Sequence, residues 1–425
     1  MKKNISILVL LPVIPFPPDD GGKIASYTFI EQLRNKYDFT VLMPSNNRND
    51  VQNLSALKEH WKNVNILSTE APHRNITWFF SRLVKKLFYI LNRVIFKRSI
   101  FDDPHLLYPF LDCNPGYFHA LKKIVDANHF DFDLIQVEYA QNLSLVNCLP
   151  STIKKVYVEV ESRYSLLADH TLIGNSDKSD YYNFIIENVK ATEIALLAKY
   201  DAIISYSNDD QERLKKLLPE KPIYVSPLNL INDPVMIDYG REDFSVDKLV
   251  FIGHESHLPN KDAVEWFIEE ILPKLSKFDI KFFVLGRWSK SFVSKFKHDN
   301  RVVFTGYVDD INSYIKNSIN VVPIRLGGGG LRLKVLLSIG NGIPVVTTDK
   351  AAFGFGFSHG VNGMIANNPT EFSNAIASLL EDPKLASTLS KNAYNLYIEN
   401  FSVQSTTHIR DEIYQNIARS PSEVG

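Results

Sequence analysis

Residues 248–267 read KLVFIGHESHLPNKDAVEWF, and this stretch decides the fold. Its first part, 249–252, is an unbroken apolar run that ends at Gly253 and predicts a buried β-strand over 248–252. The helical pattern of 263–275 follows after a short polar turn. An apolar strand followed by a helix is typical of a parallel sheet that helices cover on both faces.

The same alternation of strand and helix runs through both halves of the 425-residue chain. The pattern predicts first-half strands near 5–11, 39–43, 134–137, 155–159 and 202–206, and second-half strands near 248–252, 281–285, 302–305, 320–323 and 344–347. A stretch rich in Pro, Asn and Asp separates the halves at 227–247. We therefore predict an α/β protein of two doubly wound, Rossmann-like domains that face each other across a cleft, with ligands beyond the carboxyl ends of the strands.

Composition excludes several classes of protein. A net charge of −1 offers no basic field for nucleic acid. The two cysteines, Cys113 and Cys148, indicate reduced thiols in a cytoplasmic protein. The apolar run 5–14 is followed by prolines and acids rather than by a cleavage site, so we interpret it as a buried first strand and not as a signal peptide.

The strongest chemical signal is the segment 327–334, GGGGLRLK, between a predicted strand and a predicted helix. Glycines let the backbone approach a ligand, and the first turn of a helix offers unpaired N–H groups to an anion. Arg332 and Lys334 add two cations, which oppose the helix dipole and are therefore poorly placed without a bound anion. We predict a phosphate site here; the alternative is a surface loop with solvated charges.

Three weaker signals also follow predicted strands. Gly21 and Gly22 suit a phosphate, a sugar hydroxyl or a plain turn, and Ile24 after Lys23 excludes a nucleoside-triphosphate P-loop. Gly253-His254 and Gly286-Arg287 are ligand candidates or simple strand-to-helix turns. No G-x-G-x-x-G motif follows a strand, which disfavours a dinucleotide oxidoreductase.

Five segments in order resemble the donor domain of group 1 glycosyltransferases, which have the GT-B fold, in a bacterial branch with a PN-x-DAV-x-WF element. They are FIG at 251–253, LPNKDAVEWF at 258–267, LGR at 285–287 with VFTGYVDD at 303–310, the Gly-rich turn, and GIPVVTT at 342–348. The resemblance implies retaining, metal-independent transfer from a nucleotide-diphosphate sugar, with no bound cofactor. It assigns 1–226 to an acceptor domain, 227–247 to a linker, 248–400 to the donor domain and 401–425 to a helix that packs back on the N-terminal domain.

The resemblance also assigns donor-site residues. Gly306 and Tyr307 read the base, and the N-terminal Gly21 and Gly22 lie near the diphosphate and sugar. Gly253 and Leu331 are further donor-binding residues. The leaving diphosphate is stabilised by Lys261, Arg287, Gly328, Gly329, Gly330, Arg332 and Lys334. Fixed N–H groups and cations of this kind stabilise the charge that a leaving diphosphate gains.

The chain departs from the family at two positions. Leu337 stands where the family has a glutamate that binds the ribose hydroxyls, three residues after the lysine, and His254 stands where many members have arginine. Loss of a charged hydrogen bond costs about 1.5–3 kcal/mol. Three outcomes fit Leu337: compensation by another residue, an altered donor pocket, or a non-catalytic relative.

On the acceptor side, Glu138 and Glu161 each follow a predicted strand. A carboxylate there accepts the proton of an acceptor hydroxyl or stabilises positive charge at the anomeric carbon. Each is equally well explained as a solvated loop carboxylate.

A basic amphipathic stretch lies within 74–100, where seven Lys or Arg occur without an acid. On a helix, Arg82, Lys85, Lys86, Arg93 and Lys97 share one face, and apolar residues share most of the other. This pattern favours a peripheral position on an anionic membrane, at the inner face of the plasma membrane; the alternative is an ordinary domain helix.

We therefore predict a glycosyltransferase of cell-surface glycan synthesis with a glycan or lipid-linked acceptor. The alternatives are a sugar-nucleotide epimerase of similar fold and a non-catalytic partner subunit.

Overall fold

The structure is a computed structural model, which describes residues 4–69, 110, 114–127, 131–171, 179–230, 232, 234, 246–308, 310–327 and 330–419. It divides into two compact units. The first comprises residues 1–205, 211–224 and 411–425, and the second comprises 206–210 and 225–410. The basic stretch at 74–100, as well as Gly328 and Gly329, lies outside the described residues.

The first unit is built on a sheet with the strand order β3-β2-β1-β4-β5-β6-β7. Its strands are β1 (Ser6–Leu10), β2 (Asp38–Met43), β3 (Asn65–Ser68), β4 (Leu134–Glu138), β5 (Lys154–Val158), β6 (Ala202–Ser205) and β7 (Ile223–Val225). β1 pairs in parallel with β2 and β4, and residues 7–10 of β1 have no exposed surface. The prediction of a buried first strand is confirmed, because apolar side chains on both faces suit the centre of a covered sheet.

The second unit is built on a parallel sheet with the order β10-β9-β8-β11-β12-β13. Its strands are β8 (Lys248–Ile252), β9 (Lys281–Leu285), β10 (Val302–Gly306), β11 (Ser318–Val322), β12 (Val345–Thr347) and β13 (Met364–Ile365). In each sheet the strand order reverses beside the first strand of the unit, between β1 and β4 and between β8 and β11. Ligands of doubly wound sheets bind at such switch points, beyond the carboxyl ends of the strands.

Helices connect the strands. They are α1 (Gly21–Leu33), α2 (Arg48–His60), α3 (Pro115–Val125), α4 (Arg163–Thr171), α5 (Ser179–Leu197), α6 (Asn208–Leu217), α7 (Leu258–Trp266), α8 (Lys290–Lys295), α9 (Asn312–Ile315), α10 (Leu333–Gly340), α11 (Asp349–Ala352), α12 (Pro369–Glu381), α13 (Pro383–Asn400) and α14 (Val403–Arg419), with a 3-10 helix at Ala140–Cys148. Within the described ranges, no helix has the length and hydropathy needed to cross a membrane.

Helix α7 changes its winding as it continues toward the core. A π-helical turn, Phe267–Ile271, follows α7 directly, and a 3-10 turn, Leu272–Leu275, ends the segment. The rings of Phe267 and Phe282 lie 4.4 Å apart, and the Phe372 ring makes an edge contact with Phe267. The far end of the segment is thus anchored in the core of the second unit, while the first turn of α7 lies near the switch point of the sheet.

Candidate functional site

Two closely spaced glycines end β8 and β9, beside the switch point of the second sheet. Gly253 follows β8, and its N–H donates to the carbonyl oxygen of Leu285 at 2.9 Å. Gly286 has φ +125°, and a Cβ atom there would lie 2.1 Å from the Gly253 carbonyl oxygen. The close approach of the strand ends therefore requires glycine at 286, while at 253 the side chain of Asn260 occupies the place of a Cβ atom; neither contact excludes a ligand nearby.

Helix α10 begins at Leu333, and Arg332 is its N-cap residue. The N–H groups of Val335 and Leu336 both donate to the Arg332 carbonyl oxygen, at 2.8 and 3.1 Å. Among the described residues, the N–H groups of Leu333 and Lys334 make no hydrogen bond. The glycines thus precede the helix instead of forming its first turn, and the available donors are those beside the two cations.

Gly327 and Gly330 flank the undescribed centre of the Gly-rich turn and have φ +114° and +94°. A Cβ atom on Gly327 would lie 3.0 Å from an Arg332 guanidinium nitrogen and 3.4 Å from Pro259 of α7. Leu331 is buried. The turn therefore bends sharply at both ends and lies against the start of α7.

Lys334 lies over an apolar surface and is held by a neutral group. Its Nζ is 4.2 Å from the centre of the Phe251 ring and donates to Asn260 Oδ1 at 2.5 Å. Burial lowers the pKa of Lys334 well below its usual range, and the positive charge of Arg332 lowers it further. The ammonium therefore occupies a place where an added anion is favoured.

His257 is a residue that the sequence did not single out. Burial lowers its pKa to about 4, and the positive charges of Lys334, Arg332 and His254 lower it further. The two histidine rings lie 6.4 Å apart in the turn between β8 and α7. The sequence signal was present as H-x-x-H directly after the strand-end glycine. Four basic groups thus gather at the switch point.

A second unpredicted contact lies before the glycines. Arg325 donates to both carboxylate oxygens of Asp262, at 3.2 and 2.7 Å, and its guanidinium lies 4.5 Å from the centre of the Trp266 ring. Asp262 and Trp266 both belong to α7 and to the PN-x-DAV-x-WF element. That element therefore holds the Gly-rich turn from both sides, through Arg325 before it and Lys334 after it.

Three of the other predicted donor residues lie at the ends of the outer strands. The Arg287 guanidinium lies 5.4 Å from the centre of the Tyr307 ring, and Tyr307 is 65% exposed. Gly306, at the end of β10, has φ +74° and no atom near its Cβ position. Lys261 is half-buried in the first turn of α7. Arg287 and Tyr307 thus form an exposed cation–ring pair on the strands beside β8.

Leu337 is a half-buried residue of α10, one turn after Leu333. Its carbonyl oxygen accepts the backbone and side-chain N–H groups of Asn341, at 3.1 and 2.7 Å. An apolar side chain therefore stands at this position of the helix.

The part of the chain that holds this site matches a known protein family. Residues 246–382 match the family model described as Glycosyl transferases group 1. This part of the chain is similar to the group 1 glycosyl transferases. The matched range contains the strand-end glycines, the α7 element, the Gly-rich turn and α10.

Relatives extend over nearly the whole chain. An uncharacterized 44.6 kDa protein of the cps region of Klebsiella pneumoniae is 22% identical over 411 residues, covering 93% of this chain and 96% of the relative. Sucrose-phosphate synthase from Thermosynechococcus elongatus has a TM-score of 0.67 at 15% identity, covering 97% of this chain and 99% of that one. Anabaena HepE with UDP and glucose has a TM-score of 0.59 at 13% identity, covering 97% and 100%. The predicted GT-B fold class, an α/β protein of two doubly wound domains, is confirmed.

Outside the range that matches the family model, the glycine pair of the first unit begins α1 among acidic groups. Asp20 caps the helix by accepting the N–H of Lys23 at 3.0 Å, and Lys23 Nζ lies 2.6 Å from Asp19. Two carboxylates at the start of a helix satisfy its dipole and repel a phosphate. These carboxylates oppose a phosphate at Gly21 and Gly22, and a sugar hydroxyl there stays a prediction beside the plain turn.

Glu138 is a strand residue with no exposed surface. Its carboxylate oxygens accept from Ser26 Oγ and Gln136 Nε2, both at 2.6 Å. Tyr139 follows with φ +65°, and a Cβ atom on Gly22 would lie 2.7 Å from its hydroxyl. The expectation of a loop carboxylate is wrong for Glu138, because this acid is buried beneath the start of α1 in a hydrogen-bonded cluster.

Glu161 lies in the short loop between β5 and α4 and is half-buried. Nearby Glu159 is buried and forms an ion pair with Arg213. The loop position and partial exposure of Glu161 agree with the prediction, while its role stays a prediction.

Proposed function

We propose that this chain transfers a sugar from a nucleotide-diphosphate sugar to an acceptor, and that the diphosphate binds at the start of α10. The observation that carries the proposal is the gathering of Arg332, Lys334, His254 and His257 at the switch point. Burial and the charge of Arg332 lower the pKa of Lys334, and burial and the charges of Lys334 and Arg332 lower the pKa of His257. Positive groups gathered beside the start of a helix favour a dianionic ligand.

The chemistry follows from the charge that develops on the leaving group. As the bond from the anomeric carbon to the diphosphate breaks, negative charge grows on the phosphate oxygens. The N–H groups of Leu333 and Lys334 and the two cations are held in place before the reaction, so they stabilise this charge without reorganising. We expect these groups to replace a metal ion, and the family resemblance leads us to expect retention at the anomeric carbon.

We assign the acceptor-side carboxylate to Glu161 rather than Glu138. Glu161 is partly exposed beyond the end of β5, whereas both oxygens of Glu138 accept hydrogen bonds within the protein. The Klebsiella relative is described by its cps region, and a TarM variant of S. aureus is described in complex with Fondaparinux, alpha-GlcNAc-glycerol and UDP. These descriptions support an acceptor within capsule-like or other cell-surface glycans, and a uridine nucleotide as the first donor to test.

The test incubates the protein with UDP-, GDP- and TDP-sugars and an extract that contains glycan acceptors. Acceptor-dependent release of nucleoside diphosphate is the expected result, and Arg332→Met with Lys334→Met should abolish it. Lys297→Met, at an exposed position after α8, is the matched control and should retain full activity. A changed sugar on an intact donor would indicate an epimerase, and nucleotide binding without turnover would indicate a partner subunit; either outcome overturns the proposal.

We further propose that residues 74–100 hold the protein at the inner, cytoplasmic face of the plasma membrane, where a lipid-linked acceptor lies. The support is the sequence pattern of basic and apolar positions, at about 1 kcal/mol per basic residue near anionic headgroups. Flotation with liposomes that contain acidic lipid should recover the wild type and lose the variant with Lys85, Lys86 and Arg93 changed to Glu. Equal recovery of both proteins would refute this attachment.

A further inference from the structure

Asn260 lies in the first turn of α7 and is 5% exposed. Its Nδ2 donates to the His254 carbonyl oxygen at 3.0 Å, and its Oδ1 accepts from Lys334 Nζ at 2.5 Å. A carbonyl oxygen only accepts and an ammonium only donates, so the two ends of the amide cannot exchange. The orientation of Asn260 is therefore fixed by both neighbours.

The backbone opposite Asn260 is shaped to admit this amide. A Cβ atom on Gly253 would lie 2.7 Å from Asn260 Nδ2 and 2.8 Å from its Cγ. Glycine at the end of β8 thus makes room for the side chain that reaches Lys334. Asn260 and Lys334 are 74 positions apart in the chain, and the contact joins α7 to α10 across the switch point.

The chemical character of the partner matters as much as its position. Aspartate has nearly the shape of asparagine, but an ionised carboxylate beside Lys334 would form an ion pair and cancel the positive charge. It would also turn an oxygen toward the His254 carbonyl oxygen, where asparagine has a donor. An amide holds the ammonium in place and leaves its charge intact.

We propose that Asn260 is a positioning residue that aims the Lys334 ammonium at the diphosphate of a bound nucleotide while leaving its charge uncompensated. The inference rests on the function proposed above. Its physical content is that a diphosphate site needs cations that are fixed before the ligand arrives, and that a neutral acceptor fixes a cation without competing with the ligand for it.

The first test is Asn260→Asp in the ligand-free protein, with the pKa of His257 followed by NMR. A carboxylate at this position should raise the pKa of His257 by about one unit or more, because an acid within a few ångströms favours the charged imidazole. Asn260→Ala removes the hydrogen bonds of this side chain without adding charge. Because the Asn260 side chain also bonds to His257 and raises its pKa, this variant should lower the pKa of His257 instead of raising it.

The second test is UDP binding by calorimetry in the same variants. Both should bind UDP at least tenfold more weakly, Asn260→Asp because the charge is cancelled and Asn260→Ala because Lys334 is released, which are losses typical of a charged hydrogen bond. The control is Asn300→Asp, which makes the same change of charge at an exposed residue before the start of β10. The site lies beyond the carboxyl ends of the strands, so this variant should alter neither the pKa of His257 nor the affinity for UDP.

An unchanged pKa of His257 in folded Asn260→Asp, or unchanged UDP affinity in both variants, would overturn the assignment. A wild type that binds no UDP while Asn260→Asp still raises the pKa of His257 would instead count against the proposed donor and leave the charge arrangement supported. The ligand-free measurement thus separates failure of the proposed function from failure of this inference.

Discussion

The substitution Gly286→Ala tests how closely the ends of β8 and β9 must approach each other. A methyl group at residue 286 would lie 2.1 Å from the Gly253 carbonyl oxygen, and real Cβ atoms essentially never show contacts under 3.0 Å. The two backbone segments must therefore separate. The same oxygen accepts the indole N–H of Trp288 at 3.0 Å, so a fluorescent group reports on the atom that has to move.

The expected loss of stability has two parts. A non-glycine residue with positive φ costs about 1–2 kcal/mol. Forcing an extra carbon into a filled position costs about a further 1–3 kcal/mol. We expect Gly286→Ala to lower the free energy of unfolding by about 2–5 kcal/mol, and each kcal/mol lowers the midpoint of a unit of this size by about 2–4 °C.

Gly306→Ala is the matched control, because Gly306 also has positive φ, at +74°, but no atom lies within 4 Å of its Cβ position. It should lose only the backbone part. Thermal and urea unfolding of both variants, followed by Trp288 emission and by circular dichroism, measure the difference, and Trp288→Phe identifies the signal. Equal losses in the two variants, or unchanged Trp288 emission in Gly286→Ala, would refute the reasoning about close approach.

Three further predictions concern charge. Leu337→Glu should strengthen UDP binding by about 10–100-fold if this half-buried position faces the ribose, the worth of a charged hydrogen bond; Leu337→Gln controls for shape, and equal effects of both would contradict the role of charge. The pKa of His257 is about 4 in the free protein, and a bound anion raises it, so above pH 4 the complex holds more protons than the free protein. Calorimetry of UDP binding at pH 6 in several buffers should show that the wild type takes up as much as one proton more than His257→Gln. Equal proton uptake by the two proteins would refute the linkage. Arg213→Met leaves the buried Glu159 without its ion-pair partner and should cost about 3 kcal/mol in urea unfolding at pH 7; the exposed Lys215→Met on the same helix is the control, and equal losses would speak against a stabilising pair.

The strands that carry both switch points were predictable because they are central. β1 and β8 are covered on both faces, so their sequences are uninterrupted apolar runs with a glycine or proline turn after them. The edge strands β3 and β13 were not predicted. β3 has four residues, two of them polar at its ends, and β13 has only two residues and lies beside turns. Edge pairing is decided by neighbours in space, which a local pattern does not contain.

The site was predictable only where local chemistry was enough. Glycines and cations beside a helix start indicated the anion site from neighbouring residues alone. The roles of Asn260 and Asp262 depend on partners far along the chain, and both look like ordinary polar positions of a surface helix in the sequence. Glu138 was misjudged for the same reason, because its partner Ser26 is 112 positions away and turns a strand-end acid into a buried one.

The π-helical turn after α7 has a consequence for how the α7 element can be altered. The buried positions Ala263, Phe267, Ile271 and Leu275 recur every four residues. On a regular α-helix such a stripe rotates by about 40° at each step, since a turn takes 3.6 residues. A wider turn at Phe267–Ile271 absorbs this rotation, so the core-facing half keeps its alignment while the half with Asn260 and Asp262 points to the Gly-rich turn. Removing a single residue from the wide turn would therefore rotate the half with Asn260 and Asp262 about the helix axis and leave the core half in place. No side-chain substitution changes the orientation of that half in this way.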